Sequence, residues 1–179
     1  MISGFIAQKG PMTSIFDQNA KRVGVTTLKA FPVTVSKLIG EKKVQVAYGK
    51  KHNKEFELTS ENIPKIGDII TPDLVFAEGE SIMVSGISKG RGFAGVIKRW
   101  GFKKQPIKNA SDRIRAPGAI GAQTPSKVVK GKKMPGHYGN KTKTVEGLKI
   151  VSFSKEKNQI IVSGSIPGAP NSWVLIQKR

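Results

Sequence analysis

Cysteine is absent from the 179 residues, so neither a disulfide framework nor a thiolate metal site can form. The reducing cytoplasm is the natural home for such a chain. Acidic residues are scarce: 12 Asp or Glu stand against 31 Lys or Arg, a net charge of +19, and so one-sided a balance points to an anionic partner. Histidine is nearly missing as well. His52 and His137 have no cysteine in the chain and no acid beside them, which excludes zinc ligation and thiol chemistry. No G-x-S-x-G elbow occurs. Apolar runs are short, none approaching the ~18 residues of a membrane span. The start, from Met1 to Lys9, lacks the marks of a signal or transit peptide. The expectation is a soluble, non-enzymatic protein that stays where it is made, with no metal, no cofactor, no small-molecule substrate and no membrane.

What the chain has in excess is concentrated. Between Ile87 and Thr144 there are 15 basic residues against Asp112 alone, so this stretch holds most of the net charge. Segregated charge says more than a high isoelectric point, because evenly spread lysine can simply serve solubility. Glycine and proline interrupt the stretch from Gly90 to Gly139 and exclude a long regular helix or strand.

The flanks read as strands. Val33 and Val35, then Val44, Val46 and Tyr48, alternate with period two, which puts each set on one face of a half-buried strand. Phe5 to Ala7, Ile15 to Phe16, Ile66 to Ile70, Ser81 to Ser85, Leu148 to Ile150, Val151 to Phe153, Ile160 to Val162 and Trp173 to Ile176 are further short apolar runs. Asp17 to Lys21 has the composition of a hairpin turn, and the lysine-rich piece from Gly49 to Ser60 that of a surface loop. The expected fold class is mainly β. One discontinuous barrel domain, residues 1–86 and 145–179, is interrupted by a long, basic, mostly irregular loop over 87–144.

Within the insertion, Gly90-Arg-Gly92-Phe-Ala-Gly95 matches G-x-G-x-x-G, with Asp112 near the place of a ribose-binding acid. The rest of a dinucleotide fold is missing, since the only helix pattern, Phe93 to Trp100, is about two turns long and stops at Gly101. The glycines instead let the backbone approach phosphates that Lys89, Arg91, Lys98 and Arg99 neutralise. Trp100 and Phe102, beside Val96 and Ile97, are expected to pack the short helix onto the barrel at the base of the loop rather than to stack on bases. Beyond them, the expected RNA contacts are Lys103, Lys104, Arg113, Arg115, Lys127, Lys130, Lys132, Lys133 and His137. Apolar residues from Lys103 to Lys143 are too few to offset an ordering entropy of about 1–2 kcal/mol per residue, so order should come from the partner. Two arms of about 29 residues reach at most ~95 Å. An internal, doubly tethered and compositionally varied insert fits the crevices of folded RNA better than duplex DNA.

The motifs Gly86-Ile-Ser-Lys-Gly-Arg-Gly-Phe-Ala-Gly-Val-Ile-Lys-Arg-Trp-Gly-Phe102, Arg115-Ala-Pro-Gly-Ala-Ile-Gly121, Thr124-Pro125 and Lys130-Gly-Lys-Lys-Met-Pro-Gly-His-Tyr-Gly-Asn140 are long and specific. Together with Gly4 to Phe16 and Ile160 to Gly168, they resemble the bacterial form of ribosomal protein L-three of the large subunit, nearly end to end. The resemblance implies a translation-protein-type β-barrel and a structural role in the large subunit, without enzymatic activity. It implies binding to large-subunit ribosomal RNA near its 3′ end, early enough to nucleate assembly, beside neighbouring large-subunit ribosomal proteins in the cytoplasm. It places the loop tip, Gly121-Ala122-Gln123, near the peptidyl transferase centre, and aligns Gln123 with a glutamine that some relatives methylate. Ala7, Gln8, Pro11 and Ile114 depart from the family pattern, and the region from Gly49 to Glu80 is shortened. The residues alone also admit an RNA-processing enzyme that uses the loop as a clamp, and a nonspecific nucleic-acid chaperone.

Overall fold

The computed structural model describes residues 2–16, 20–40, 42–49, 52–58, 63–109, 112–154 and 156–178. Strands dominate, as the alternating patterns predict. Six of them, β1 (Gly4–Phe16), β2 (Arg22–Lys29), β7 (Ser81–Ile87), β10 (Thr142–Ser154), β11 (Gln159–Ser163) and β12 (Trp173–Lys178), form a closed antiparallel barrel in the order β1-β12-β7-β10-β11-β2. Closure removes the unpaired edges that an open sheet would expose. Along β7, β11 and β12 every second side chain points inward, so Ile82, Val84, Ile160, Val162, Val174 and Ile176 are buried. Each such side chain contributes about 1.5–3 kcal/mol relative to exposure.

The two longest strands bend to stay in the barrel. Apolar runs separated in sequence, Phe5 to Ala7 and Ile15 to Phe16, belong to the single strand β1, whose register shifts between Lys9 and Met12. Gly10 sits at that bulge, where a Cβ would lie 2.7 Å from the Thr27 carbonyl oxygen, so glycine permits the close approach. Similarly, Leu148 to Ile150 and Val151 to Phe153 are one strand, β10, kinked between Val145 and Leu148 around Gly147 at φ +75°.

Two polar side chains are built into this frame. Buried Thr26 donates from Oγ1 to the Gly164 carbonyl at 2.6 Å. The Lys9 ammonium donates to the carbonyls of Ile166 and Gly168 at 2.6 and 2.9 Å.

A second sheet holds β3 (Val33–Ile39), β4 (Lys43–Tyr48), β5 (His52–Glu57) and β6 (Ile69–Ile70) in the order β5-β4-β3-β6. Its alternating valines, Val33, Val35, Val44 and Val46, are buried in the same apolar cluster as the barrel interior, and Tyr48 packs against it. This divides what the sequence suggests is one barrel into a barrel and a companion sheet. It also corrects the middle of the expected loop from Gly49 to Ser60, of which positions 50, 51, 59 and 60 lie outside the described residues. His52–Glu57 is an edge strand paired along its length with β4, burying only Phe56. Main-chain pairing orders it despite its polar composition, and charged edges discourage further pairing. A short helix, α1 (Pro72–Val75), opens with proline and buries Val75. Of the expected turn at Asp17 to Lys21, Asp17, Gln18 and Asn19 lie outside the described residues.

The chain divides into two compact units, residues 1–88 with 142–179, and residues 89–141. β7 and β10 extend past positions 86 and 145, and their ends, Ile87 and Thr142, are register partners. The intervening segment therefore leaves and re-enters the barrel at paired positions.

Candidate nucleic-acid interface

Residues 89–141 carry 14 Lys or Arg against Asp112. Ala94 and Val96 are their only buried apolar side chains among the described residues. Main-chain pairing orders the unit at its two ends. Arg91 N–H donates to Tyr138 O at 2.8 Å and Tyr138 N–H returns to Gly92 O at 2.9 Å. Just beyond, β8 (Phe93–Ala94) pairs with β9 (Gly136–His137). Gly92 supplies φ +61°, and Gly139, at φ +79°, faces the Lys89 carbonyl so closely that any Cβ would collide with it.

From this clip the chain enters α2 (Val96–Trp100), shorter than the expected two turns because Phe93 and Ala94 are used in β8. Gly101 ends it in the left-handed conformation, its N–H on Ile97 O. The Arg99 Nη1 donates to the Met134 carbonyl at 2.7 Å, and the Trp100 Nε1 donates to the same oxygen at 3.0 Å. Arg99 and Lys133 both lie over the Trp100 ring, at 5.1 and 5.8 Å from its centroid, while Arg91 lies 5.9 Å from that of Tyr138. Such cation–π contacts hold cations close to one another on a surface.

Trp100 is 42% exposed and Phe102 is half-buried. Between Gly101 and Pro135 a 3-10 turn at Ile107–Asn109 is the only regular element among the described residues. Local turns replace longer structure: Gln105 N–H bonds Ile114 O, Ala116 N–H bonds Arg113 O, and Ser126 bonds Gln123 O through both N–H and Oγ at 2.8 Å. Gly121, Ala122 and Gln123 are exposed beside a cis Thr124-Pro125 bond.

The predicted contacts fall into groups. Lys89, Arg91, Lys98, Lys133 and His137 gather on or beside the clip, all exposed, with Arg99 half-buried and engaged in holding it. Lys103, Lys104, Arg113, Arg115, Lys127, Lys130 and Lys132 are exposed along the irregular segment. Sequence reasoning misses the Arg99–Trp100–Met134 cluster, because the partners are 34 and 35 residues apart and follow no periodic pattern. The dinucleotide reading of the glycines also fails: β7, the preceding strand, is antiparallel to both neighbours, and only a five-residue helix follows. Among the described residues no three His, Asp or Glu side chains gather as metal ligands, and no helix is long and apolar enough to cross a membrane.

A closed β-barrel that carries, between paired strand ends, a cationic unit with almost no core of its own defines a class of protein suited to a polyanionic partner. The family follows from comparison with known sequences. The family model described as Ribosomal protein L3 matches residues 13–167. The large ribosomal subunit protein uL3 of Citrifermentans bemidjiense is 39% identical over 205 aligned residues, covering 99% of this chain and 97% of that protein. Those of Dehalococcoides mccartyi (strain BAV1) and Syntrophobacter fumaroxidans are 40% and 36% identical, each covering 99% of this chain and 98% of the relative. The chain belongs to the ribosomal protein L3 family. The first of these alignments is longer than the chain, 205 against 179, so at least 26 aligned positions have no residue here.

Proposed function

We propose that this chain is a structural, non-enzymatic constituent of the large ribosomal subunit in the cytoplasm, and that residues 89–141 form its main contact with the ribosomal RNA. One observation carries the reading: in a member of this family, 14 cations against one acid sit in a unit that, among its described residues, buries two apolar side chains of its own. Such a unit gains order by releasing counterions from phosphates and filling crevices in folded RNA. The barrel is of the translation-protein type and stays with neighbouring large-subunit proteins. The insertion runs from the clip near Trp100 to a tip at Gly121-Ala122-Gln123, directed towards the peptidyl transferase centre. Binding near the 3′ end of the RNA comes early and nucleates subunit assembly.

Sucrose-gradient fractionation tests this. Co-sedimentation with large subunits that resists moderate salt supports the reading, whereas a free pool with RNA turnover favours a processing enzyme. Binding any RNA equally, with steep salt dependence, favours a chaperone. Gln123, exposed in its turn, is the proposed methylation position, and an unmodified intact-protein mass overturns that assignment.

A further inference from the structure

The barrel unit has a second feature that the cationic insertion leaves unused. Trp173 on β12, Gln8 on β1, Lys29 on β2 and Gln159 on β11 are successive register partners, so their side chains share one row on the sheet. Their sequence neighbours Val174, Ala7, Leu28 and Ile160 are fully or almost fully buried, which makes this the outward face. Where the row meets the companion sheet, Gln8, Phe31, Pro32, Tyr48 and Trp173 line a cleft of about 290 Å³. Tyr48 and Trp173 meet edge to face at 5.0 Å, and His52 stacks on Tyr48 at 5.6 Å. Phe31 is 49% exposed, although its ring is large and apolar.

We propose that this cleft holds one unstacked base of the ribosomal RNA, a contact separate from the insertion; it rests on the reading of the chain as a ribosomal RNA-binding protein. Four properties fit a nucleotide. Aromatic rings offer stacking surface, worth most to a planar π system. Gln8 offers an amide to a base edge, and its Nε2 is fixed by a 2.8 Å bond to the Asn171 carbonyl. Lys29, next in the row beside the lining, supplies positive charge for the phosphate, and among the described residues no acid lines the cleft. Ligand pockets span about 300–1,000 Å³, so a volume just under that range suits one flat ring better than a stretch of peptide.

The test uses the full-length protein and large-subunit RNA. Trp173→Leu keeps an apolar side chain without a π face and should weaken binding about tenfold, whereas Trp173→Phe should stay within about threefold of the parent. The salt dependence of binding should be unchanged in both, since no phosphate contact is removed. Equal affinity of Trp173→Leu and parent overturns the proposal. Because a core-edge tryptophan also affects folding, ultraviolet crosslinking of intact subunits carrying the unaltered chain is the second measurement. Nucleotide adducts on the peptides of Phe31, Tyr48 or Trp173 support the cleft. Adducts confined to residues 89–141, or a crosslink from the cleft to another protein, overturn it while leaving the general reading in place. A chain absent from the subunits overturns both.

Discussion

Arg99 and Met134, 35 residues apart, are joined by a 2.7 Å hydrogen bond from the guanidinium to a main-chain carbonyl. Trp100 donates to the same oxygen, and a Cβ on Gly136 would lie 2.8 Å from the Arg99 Nη1. Arginine is thus a structural pin within a surface made of cations.

Arg99→Lys keeps the charge but loses the planar fork and its stacking on Trp100. A hydrogen bond to a charged group is worth about 1.5–3 kcal/mol, and local stability of the clip should fall by about that amount. Faster amide exchange at Arg91 and Tyr138 would report it. Unchanged exchange would mean that Arg99 acts only as a charge.

Gly139→Ala meets two obstacles, a left-handed φ of +79° and the Lys89 carbonyl in the path of the new methyl. The clip must open to accept it, at a loss of at least about 1–2 kcal/mol. Gly90→Ala, whose Cβ would make an ordinary 3.6 Å contact with Asn140, should stay within about 0.5 kcal/mol. The same exchange measurement distinguishes the pair.

Much of the fold is legible in the sequence wherever one face of a strand is buried and the other wet. Val33 and Val35, and Val44 with Val46, announce their inward face by period two. That pattern cannot say which strands close on which, and so the companion sheet merges with the barrel in the sequence. It is silent on His52–Glu57, where pairing with β4 orders a segment that buries only Phe56. The cationic surface is legible because charge density needs no contact map. Its internal clip is not: Arg99, Met134 and Gly136 are brought together by a long return of the chain, which no local pattern encodes.

Lys127, Lys130 and Lys132 are exposed on the irregular segment, and each is expected to neutralise a phosphate. Replacing all three by glutamine should make the slope of log K against log salt shallower by about 2–3, at ~0.7–0.9 per phosphate contact. Binding would weaken across RNA sequences alike, because phosphate contacts carry no base readout. An unchanged slope in filter binding would exclude these lysines from the interface.

Thr26 lies in the barrel wall, remote in character from any charge effect. Thr26→Val preserves shape but leaves the half-buried Gly164 carbonyl without the 2.6 Å donor. The expected loss is about 0.5–1.5 kcal/mol of global stability. Thermal or urea unfolding of the free protein would measure it, and RNA affinity of the folded fraction should be unaltered.

Ile87 and Thr142 face each other across β7 and β10, a separation that a two-residue hairpin turn can span. Replacing residues 88–141 by Asn-Gly should therefore join the two strands without disturbing their register. Every residue of the shared apolar cluster lies outside the replaced segment, so the core and its burial energy remain intact. The shortened chain is expected to unfold cooperatively, with β-type circular dichroism, and to lose incorporation into large subunits. A collapsed or non-cooperative product would mean that residues 89–141 are needed for the barrel itself to fold, against the independence implied by the absence of any described one of them from its core.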